Sequence, residues 1–432
     1  MAIIEERYAA RPETNVYKRL SNGRPSVVNK VLLGTWLGVE QRDSEWLKVR
    51  TAGPDGWVKA AETREDCGLK IFFVDVGQGD GALIEVPNQR FLVDGGPNTS
   101  LRRYLKGWQY TYLLGNGQQV HFDAAFISHF DADHYQGLIQ IIADRSFTFV
   151  TIYHNGIARF RSSRQERPTE YDEDLGRTST GADGAKVLDT TFNDIDDLRQ
   201  LHQAGGLQAT FSDFAEAVFA AEGEGRLQGL QRLTSRDRTL AGLAGELSIE
   251  ILGPVPTASS GPVRFHWFTD SSHTRNGHSL VLKLTYGEVS VLLGGDLNAE
   301  SQAHLLRSYE NAPNPFVADV AKSCHHGSSD FRVDFMQAVE AQVTVISSGD
   351  NESYAHPRAD AIGAAGRYGR GQLPLVFSTE LARSIRSGED ILYGMIQARS
   401  DGRQLILGQM KEKRTGTDIW DSYPVPFVPE HS

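Results

Sequence analysis

Only two cysteines, Cys67 and Cys324, occur in 432 residues, too few for a disulfide framework. The fold must therefore be held by core packing, and both thiols are expected to stay reduced. No apolar run approaches the roughly 20 residues that span a bilayer, and the N-terminal MAIIEERYAARPE lacks the basic-then-apolar order of a secretion signal. A cytoplasmic protein with no membrane partner is the expectation. Positive charge is also scarce. Against 55 Asp and Glu the chain has 44 Lys and Arg, a net charge of -11, which excludes broad nonspecific attraction to polyanions. Only a local basic lining or bound cations could receive a phosphodiester.

What is present is length and 40% hydrophobic content, enough for two or three domains. Residues 27–60 alternate short apolar runs with turn signals, a spacing that suits a small antiparallel barrel within residues 1–66. The remainder, 67–432, begins with three apolar runs at 70–75, 81–86 and 90–94, read as sequential strands of one sheet. Between the first two lies Gly77-Gln78-Gly79-Asp80-Gly81, which leads into a strand and so is a poor dinucleotide fingerprint; it reads as a tight loop supporting a site. From about 155 to 246 the chain turns polar with helical periodicity. Ile195, Leu198 and Leu201 share one face, as do Phe211, Phe214, Val218 and Phe219, with Thr210 as a candidate N-cap. This predicts an inserted, mainly helical subdomain with a flexible loop at 163–185. Strands resume at 247–252, 279–284 and 290–293. Residues 342–346 and the pair 393–398 and 403–409, joined by a Ser-Asp-Gly turn, are expected to complete a second sheet, and the tail after Thr415 reads as irregular.

The chemistry concentrates in His129-Phe130-Asp131-Ala132-Asp133-His134, just after the strand-like run 123–128. Two carboxylates and two imidazoles crowded at a strand end repel and desolvate one another unless a cation offsets that cost. Three later stretches also place ligand-type residues at strand ends: Asn276-Gly277-His278-Ser279, Gly294-Gly295-Asp296, and the run from Ala321 through Lys322, Cys324, His325 and His326 to Ser328. Loops converge at such ends and a sheet can hold them rigidly. A metal reading covers the neighbours of Cys324, so a nucleophilic thiol is not expected.

The motifs FFVDVGQGDGALIEVP (72–87), FLVDGGP (91–97), SHFDADHYQGL (128–138), NGHSLVLKLTYGEVSVLLGGD (276–296), AKSCHHGSSD (321–330) and SSGDNESYAHP (347–357) occur in an order that resembles the metallo-β-lactamase superfamily, in particular the ComEC-type hydrolase domain. The resemblance implies an α+β fold, an αββα sandwich carrying the helical insertion, with two divalent metal ions, Zn2+ or Mn2+. His129 and Asp131 would hold one ion, Asp133 and His134 the other, and Asp296 would bridge them. One imidazole of the double histidine would complete the second site, His325 slightly preferred, leaving His326 to contact substrate or act as an acid. His278 lies where other branches carry a ligand, and Asp94 would orient ligands. Asp131 stands where the wider superfamily has histidine, which enriches one site in oxygen and moves its preference from zinc towards manganese. Paired cations can generate hydroxide at neutral pH and neutralise a phosphoryl oxygen, so no nucleophilic side chain is required. Asp133, Lys322, His326 and His356 are then the candidate catalytic residues. Lys322, His356 and the arginines Arg159, Arg161, Arg164 and Arg167 could bind substrate anions, although for the arginines a solvated polar face serves as well. Residues 25–64 (GTWLGV…EWLKVR…GPDGWVKAAET) resemble bacterial SH3-like domains, which implies a protein or peptide partner. The expected activity is hydrolysis of a phosphoester, with a nucleic-acid phosphodiester favoured. A small phosphodiester or phosphocholine-type ester, and a partner-binding effector or scaffold, are the alternatives.

Overall fold

The computed structural model describes residues 2–19, 25–181, 183–349, 353–379, 395–415 and 417–426. Residues 5–19 and 25–64 form a seven-stranded antiparallel sheet of their own, packed over Val16, Val31, Leu37, Val39, Leu47, Val49 and Val58. The rest is built on two sheets. The first has nine strands in the order Leu227–Arg232, Phe147–His154, Val120–Ile127, Gln89–Val93, Ala82–Val86, Leu69–Phe73, Ile396–Ser400, Leu405–Thr415 and Asp418–Val425. The second has six: Leu247–Gly253, Val281–Tyr286, Val289–Leu293, Val320–Lys322, Val343–Ile346 and Leu375–Ser378.

Alternation along the strands divides the apolar residues between faces. Ile71, Phe73, Ile84, Phe91 and Phe126 of the first sheet meet Leu282, Leu284, Val291, Val343 and Val345 of the second in one buried core. Leu83, Leu92, Ala125 and Ile127 point the other way, onto helices Ser100–Tyr104, Ala132–Ala143 and Ala209–Gly223. Leu292 and Ala321 do the same on the far side, against Ala299–Ser308 and Val333–Val339. The result is four layers, helix, sheet, sheet, helix. Among the described residues no helix is long and apolar enough to cross a membrane.

Four expectations change. The pair now seen as Ile396–Ser400 and Leu405–Thr415 joins the first sheet, beside Leu69–Phe73, and not the second. The first motif strand leaves a free edge that only a segment more than three hundred residues later fills, and pairing at that range leaves no local mark. The tail contains the strand Asp418–Val425, antiparallel to Leu405–Thr415. The segment 155–246 is mixed: helices Ile195–Ala204 and Ala209–Gly223 pack on the first sheet, Leu227–Arg232 becomes its edge strand, and the stretch expected to be a loop contains the strand Thr178–Thr180. The second helix starts at Ala209, capped by the Gln208 side chain and not by Thr210.

A buried ion pair crosses the first sheet. Lys70 and Glu85 are cross-strand partners, with Nζ 2.6 Å from Oε2, and the Tyr110 hydroxyl donates to Glu85 Oε1 at 2.8 Å. Burial pushes the Glu85 carboxyl up, but Lys70 and Tyr110 outweigh it and the net value falls from 4.5 to about 2. A depressed folded value stabilises the fold above the ordinary carboxylate range and loses that contribution as pH falls through the depressed one, here on the order of 3 kcal/mol. Glu85→Gln, which leaves Lys70 buried without its counter-ion, should cost about 3–5 kcal/mol at neutral pH. In urea unfolding the gap between wild type and variant should narrow as pH is lowered from 4.5 towards 2; a gap that stays constant would rule the linkage out.

Candidate metal centre

The site forms at one sheet edge because of strand polarity. Gln89–Val93 and Val120–Ile127 are parallel, as are Val289–Leu293, Val320–Lys322 and Val343–Ile346, so Asp94, His129, Asp296, His326 and Ser347 all follow C-terminal strand ends. Strands Ala82–Val86 and Val281–Tyr286 run antiparallel to their neighbours, and this brings the residues preceding them, Asp80 and Ser279, to the same edge. The amide of Leu280 donates to Ser128 O at 2.8 Å and ties the sheets together there.

One ligand-type atom from each of Asp80, His134, Asp296 and His326 lies within 4.8 Å of the other three, and all four residues are buried. Asp296 Oδ2 is 3.2 Å from His134 Nε2 and 3.1 Å from His326 Nε2, and Asp133 Oδ2 is 3.4 Å from His326 Nε2. Both imidazoles are oriented from behind. His134 Nδ1 lies 2.8 Å from Asp94 Oδ2, and His326 Nδ1 lies 2.9 Å from Ser347 O, so each turns Nε2 towards the cluster, the arrangement that fixes a metal-binding tautomer. Asp94, with φ at 56°, also accepts the Ser128 amide at 2.7 Å and its hydroxyl at 2.6 Å. His325 and His326 both adopt left-handed backbone, φ 48° and 54°, a conformation that non-glycine residues keep only where the surroundings enforce it.

Two close backbone approaches explain glycines in the motifs. A Cβ on Gly79 would stand 2.2 Å from Asp133 O, and one on Gly95 would stand 2.4 Å from Leu138 N. The loop carrying Asp80 and the turn after Asp94 can thus lie against the start of helix Ala132–Ala143.

The charges are strongly coupled. Burial opposes ionisation of Asp80, but Lys322 and His326 outweigh it and bring the carboxyl down to about 2. Burial likewise opposes protonation of His134 and His326, yet Asp296, helped by Asp94 beside His134 and by Asp133 beside His326, raises both well above the ordinary histidine value. Two buried imidazolium-type donors against buried carboxylates are what an N/O metal site looks like when protons hold its ligand atoms. A mixed imidazole and carboxylate set suits zinc, and carboxylate enrichment suits manganese.

The structure gathers some expected residues and separates others. His134, Asp296 and His326 are in the cluster, with Asp133 at its rim, its side chain 32% exposed. Asp80 is a member that sequence reading treated only as part of a supporting loop; a carboxylate between glycines was its signal. His326, and not His325, is the member of the double histidine in the cluster: His325 turns towards His356, ring centroids 5.8 Å apart. His278 is elsewhere. At the C-terminal end of helix Ser271–Gly277 its ring swings between Phe265 and Phe268 and its Nε2 reaches His266 O at 2.7 Å. Burial holds it down near 3, and Ser279 takes the site-facing position, its hydroxyl 3.3 Å from His129 Nδ1 and accepting the Asp296 amide at 3.1 Å. Lys322 is not at the surface awaiting an anion. It is buried, ion-paired to Asp80 and donating to Gly295 O at 3.1 Å, so it positions Asp80 and Asp296. Burial pushes the Cys324 thiol up to about 12, a poor nucleophile.

His129 and Asp131 stand beside the cluster. His129 Nε2 is 3.7 Å from Asp131 Oδ2. Of the four arginines considered, only Arg159 reaches in, its Nη1 donating to Asp131 Oδ1 at 2.7 Å and to Phe130 O at 2.8 Å. Arg161 pairs with Glu166 at 3.3 Å on the exposed insertion. Arg275, not singled out from sequence, also pairs with Asp131. His356 faces the loop of Asp80, Nδ1 3.4 Å from Gln78 Nε2.

No family model matches the chain. ComE operon protein 3 of Bacillus subtilis (strain 168) is 35% identical over 85 residues, which make up 19% of this chain and 10% of that protein. The match thus spans about a tenth of the relative's length. Among solved structures, a diphosphatase from the PhnP family aligns at 10% identity over 77% of this chain and 99% of its own, with a TM-score of 0.33. Hydrolase AbOPH of the β-lactamase superfamily aligns at 11% identity over 59% and 75%, with a TM-score of 0.25. At such scores the chain's own layers and side chains carry the functional reading.

Proposed function

We propose that the protein is a metal-dependent hydrolase of phosphoesters, with a nucleic-acid phosphodiester as the favoured substrate class. The observation that supports this most is the buried Asp80, His134, Asp296 and His326 cluster, with the part-exposed Asp133 at its rim. Asp80, Asp133, His134, Asp296 and His326 would hold the ion. The chemistry such an ion supplies when bound is acidification of water and neutralisation of charge on a phosphoryl oxygen.

The other groups are assigned by what they touch. Asp94 and the Ser347 carbonyl keep the Nδ1 protons of His134 and His326 in place, so Nε2 remains a lone-pair donor. Lys322 holds Asp80 and Asp296 ionised and apart from solvent. Burial, the largest influence on His325, lowers its value despite Asp296. With His356 beside it, ring centroids 5.8 Å apart, His325 would serve as a proton acceptor for an attacking water. Arg159 and Arg275 put fixed positive charge at the mouth of an otherwise acidic protein, where an anionic ester would enter.

Metal-loaded protein should be assayed on single-stranded DNA, RNA and bis(p-nitrophenyl) phosphate. Cleavage of a polymer is the expected result. Cleavage of the small ester alone would move the substrate class to small phosphodiesters, and silence on all three with metal demonstrably bound would overturn the hydrolase reading.

A further inference from the structure

The motif order in the sequence implies a second ion held by His129 and Asp131. His129 Nε2 is buried without a hydrogen-bond partner, yet the lone pairs that Asp131 would have to offer are already used. Oδ1 of Asp131 accepts from Arg159 Nη1 at 2.7 Å and is also paired with Arg275 Nε. Oδ2 faces the Asn276 side chain at 2.9 Å when that amide is turned to donate, the orientation its other neighbour, Ser272 O, also favours. These are not loose surface contacts: the side chains of Asp131, Arg159 and Arg275 are 19%, 16% and 12% exposed. Nor does Asp131 cap the helix it precedes, because its carboxylate makes no cap hydrogen bond to Ala132–Ala143. The residue is committed to the guanidiniums.

Charge points the same way. Around the site, Asp80, Asp94, Asp131, Asp133 and Asp296 face Lys322, Arg159 and Arg275. With neutral imidazoles, five carboxylates against three fixed cations leave two negative charges, which is the charge of one divalent ion. A second ion would have to displace two part-buried guanidiniums or share a carboxylate with them, and like charges packed at that range repel.

We infer that the Arg159–Asp131–Arg275 cluster takes the place of a second cation, so that the protein binds one divalent ion per chain, at the Asp80, Asp133, His134, Asp296 and His326 cluster. The inference rests on the metal-dependent reading above and goes beyond it in stoichiometry and in the source of the second positive charge. Arginine here is a permanent charge that needs no metal supply, and its planar fork can face a phosphoryl oxygen while its other edge holds Asp131.

Native mass spectrometry and elemental analysis of the full chain, resupplied with Mn2+ or Zn2+ and freed of excess, test it without reference to turnover. One ion per chain is expected, and the Mn2+ form should give the electron paramagnetic resonance pattern of an isolated ion. Two ions per chain, or the pattern of a spin-coupled pair, would overturn the inference and leave the hydrolase reading standing; no uptake would remove both. Asp131→Asn supplies a second measurement. It should keep its one ion with affinity changed by less than the roughly 10-fold that loss of even a ligand's supporting partner costs, whereas loss of the bound ion would identify Asp131 as a ligand and overturn the inference.

Discussion

Asp296→Ala is expected to abolish both metal uptake and hydrolysis while leaving a folded protein. Its carboxylate touches both Nε2 atoms, 3.2 Å from His134 and 3.1 Å from His326, which are themselves 3.2 Å apart, with Lys322 Nζ 3.5 Å from its other oxygen. Loss of a residue that merely supports a ligand weakens metal binding by about 10–100-fold, so loss of this central donor should exceed the upper end of that range. The sheet survives because Asp296 lies beyond Val289–Leu293, whose apolar residues are untouched. A thermal melt separates the two effects. Metal present at about 100 times its Kd should stabilise the wild type by about 2.7 kcal/mol; the variant should melt lower without metal, because Lys322, His134 and His326 lose a buried partner, and should show no gain with metal. A variant that still melts higher with metal and still turns over substrate would show that the ion sits elsewhere.

How far the sequence leads to this site depends on the range of the interaction involved. The hexapeptide is legible because its ligands are neighbours in sequence and follow a strand whose apolar residues show it, and because glycine and carboxylate runs after other strands share that form. Asp80 carried a local signal as well, a carboxylate inside a glycine loop that has to pass over Asp133 O. The choice between His278 and Ser279 was not legible. One residue of rotation at the end of a helix decides it, and that rotation is set by Phe265 and Phe268, which give the imidazole an aromatic slot away from the ligands. Arg275 was invisible for a similar reason: an arginine in a short helix looks like any solvated charge until folding lays it on Asp131, a partner from the opposite sheet's loops. The four-layer architecture was implied by the motif resemblance, with periodicity marking individual strands and helices, but neither carried the assignment of Ile396–Ser400 to the first sheet, since edge pairing depends on which edge remains free. Motif chemistry is local; its division among partners is not.

Phe130 joins these two ranges, and Phe130→Ala is expected to carry the largest stability cost of any single change near the site. It lies between His129 and Asp131 in sequence but points away from both, fully buried, with ring centroids 4.9 Å from Phe211, 5.2 Å from Phe214 and Tyr135, and 5.9 Å from Phe192. Phe192, Phe211 and Phe214 all come from the segment 155–246, so this one ring fastens that segment to the ligand-bearing turn. Truncation should cost about 3–5 kcal/mol through lost burial and the cavity left behind. Metal affinity should fall too, because the turn that sets His134 loses its anchor and the Phe130 carbonyl loses the position from which it accepts Arg159. Phe316→Ala is the matching control. That ring is as buried, packs 5.4 Å from Tyr309 and from Phe335 in the opposite helical layer, and should lower the urea midpoint comparably while leaving metal affinity as it was. Equal losses of affinity in the two variants would mean that the site responds only to global stability, and the aromatic cluster would then have no special hold on the ligand turn.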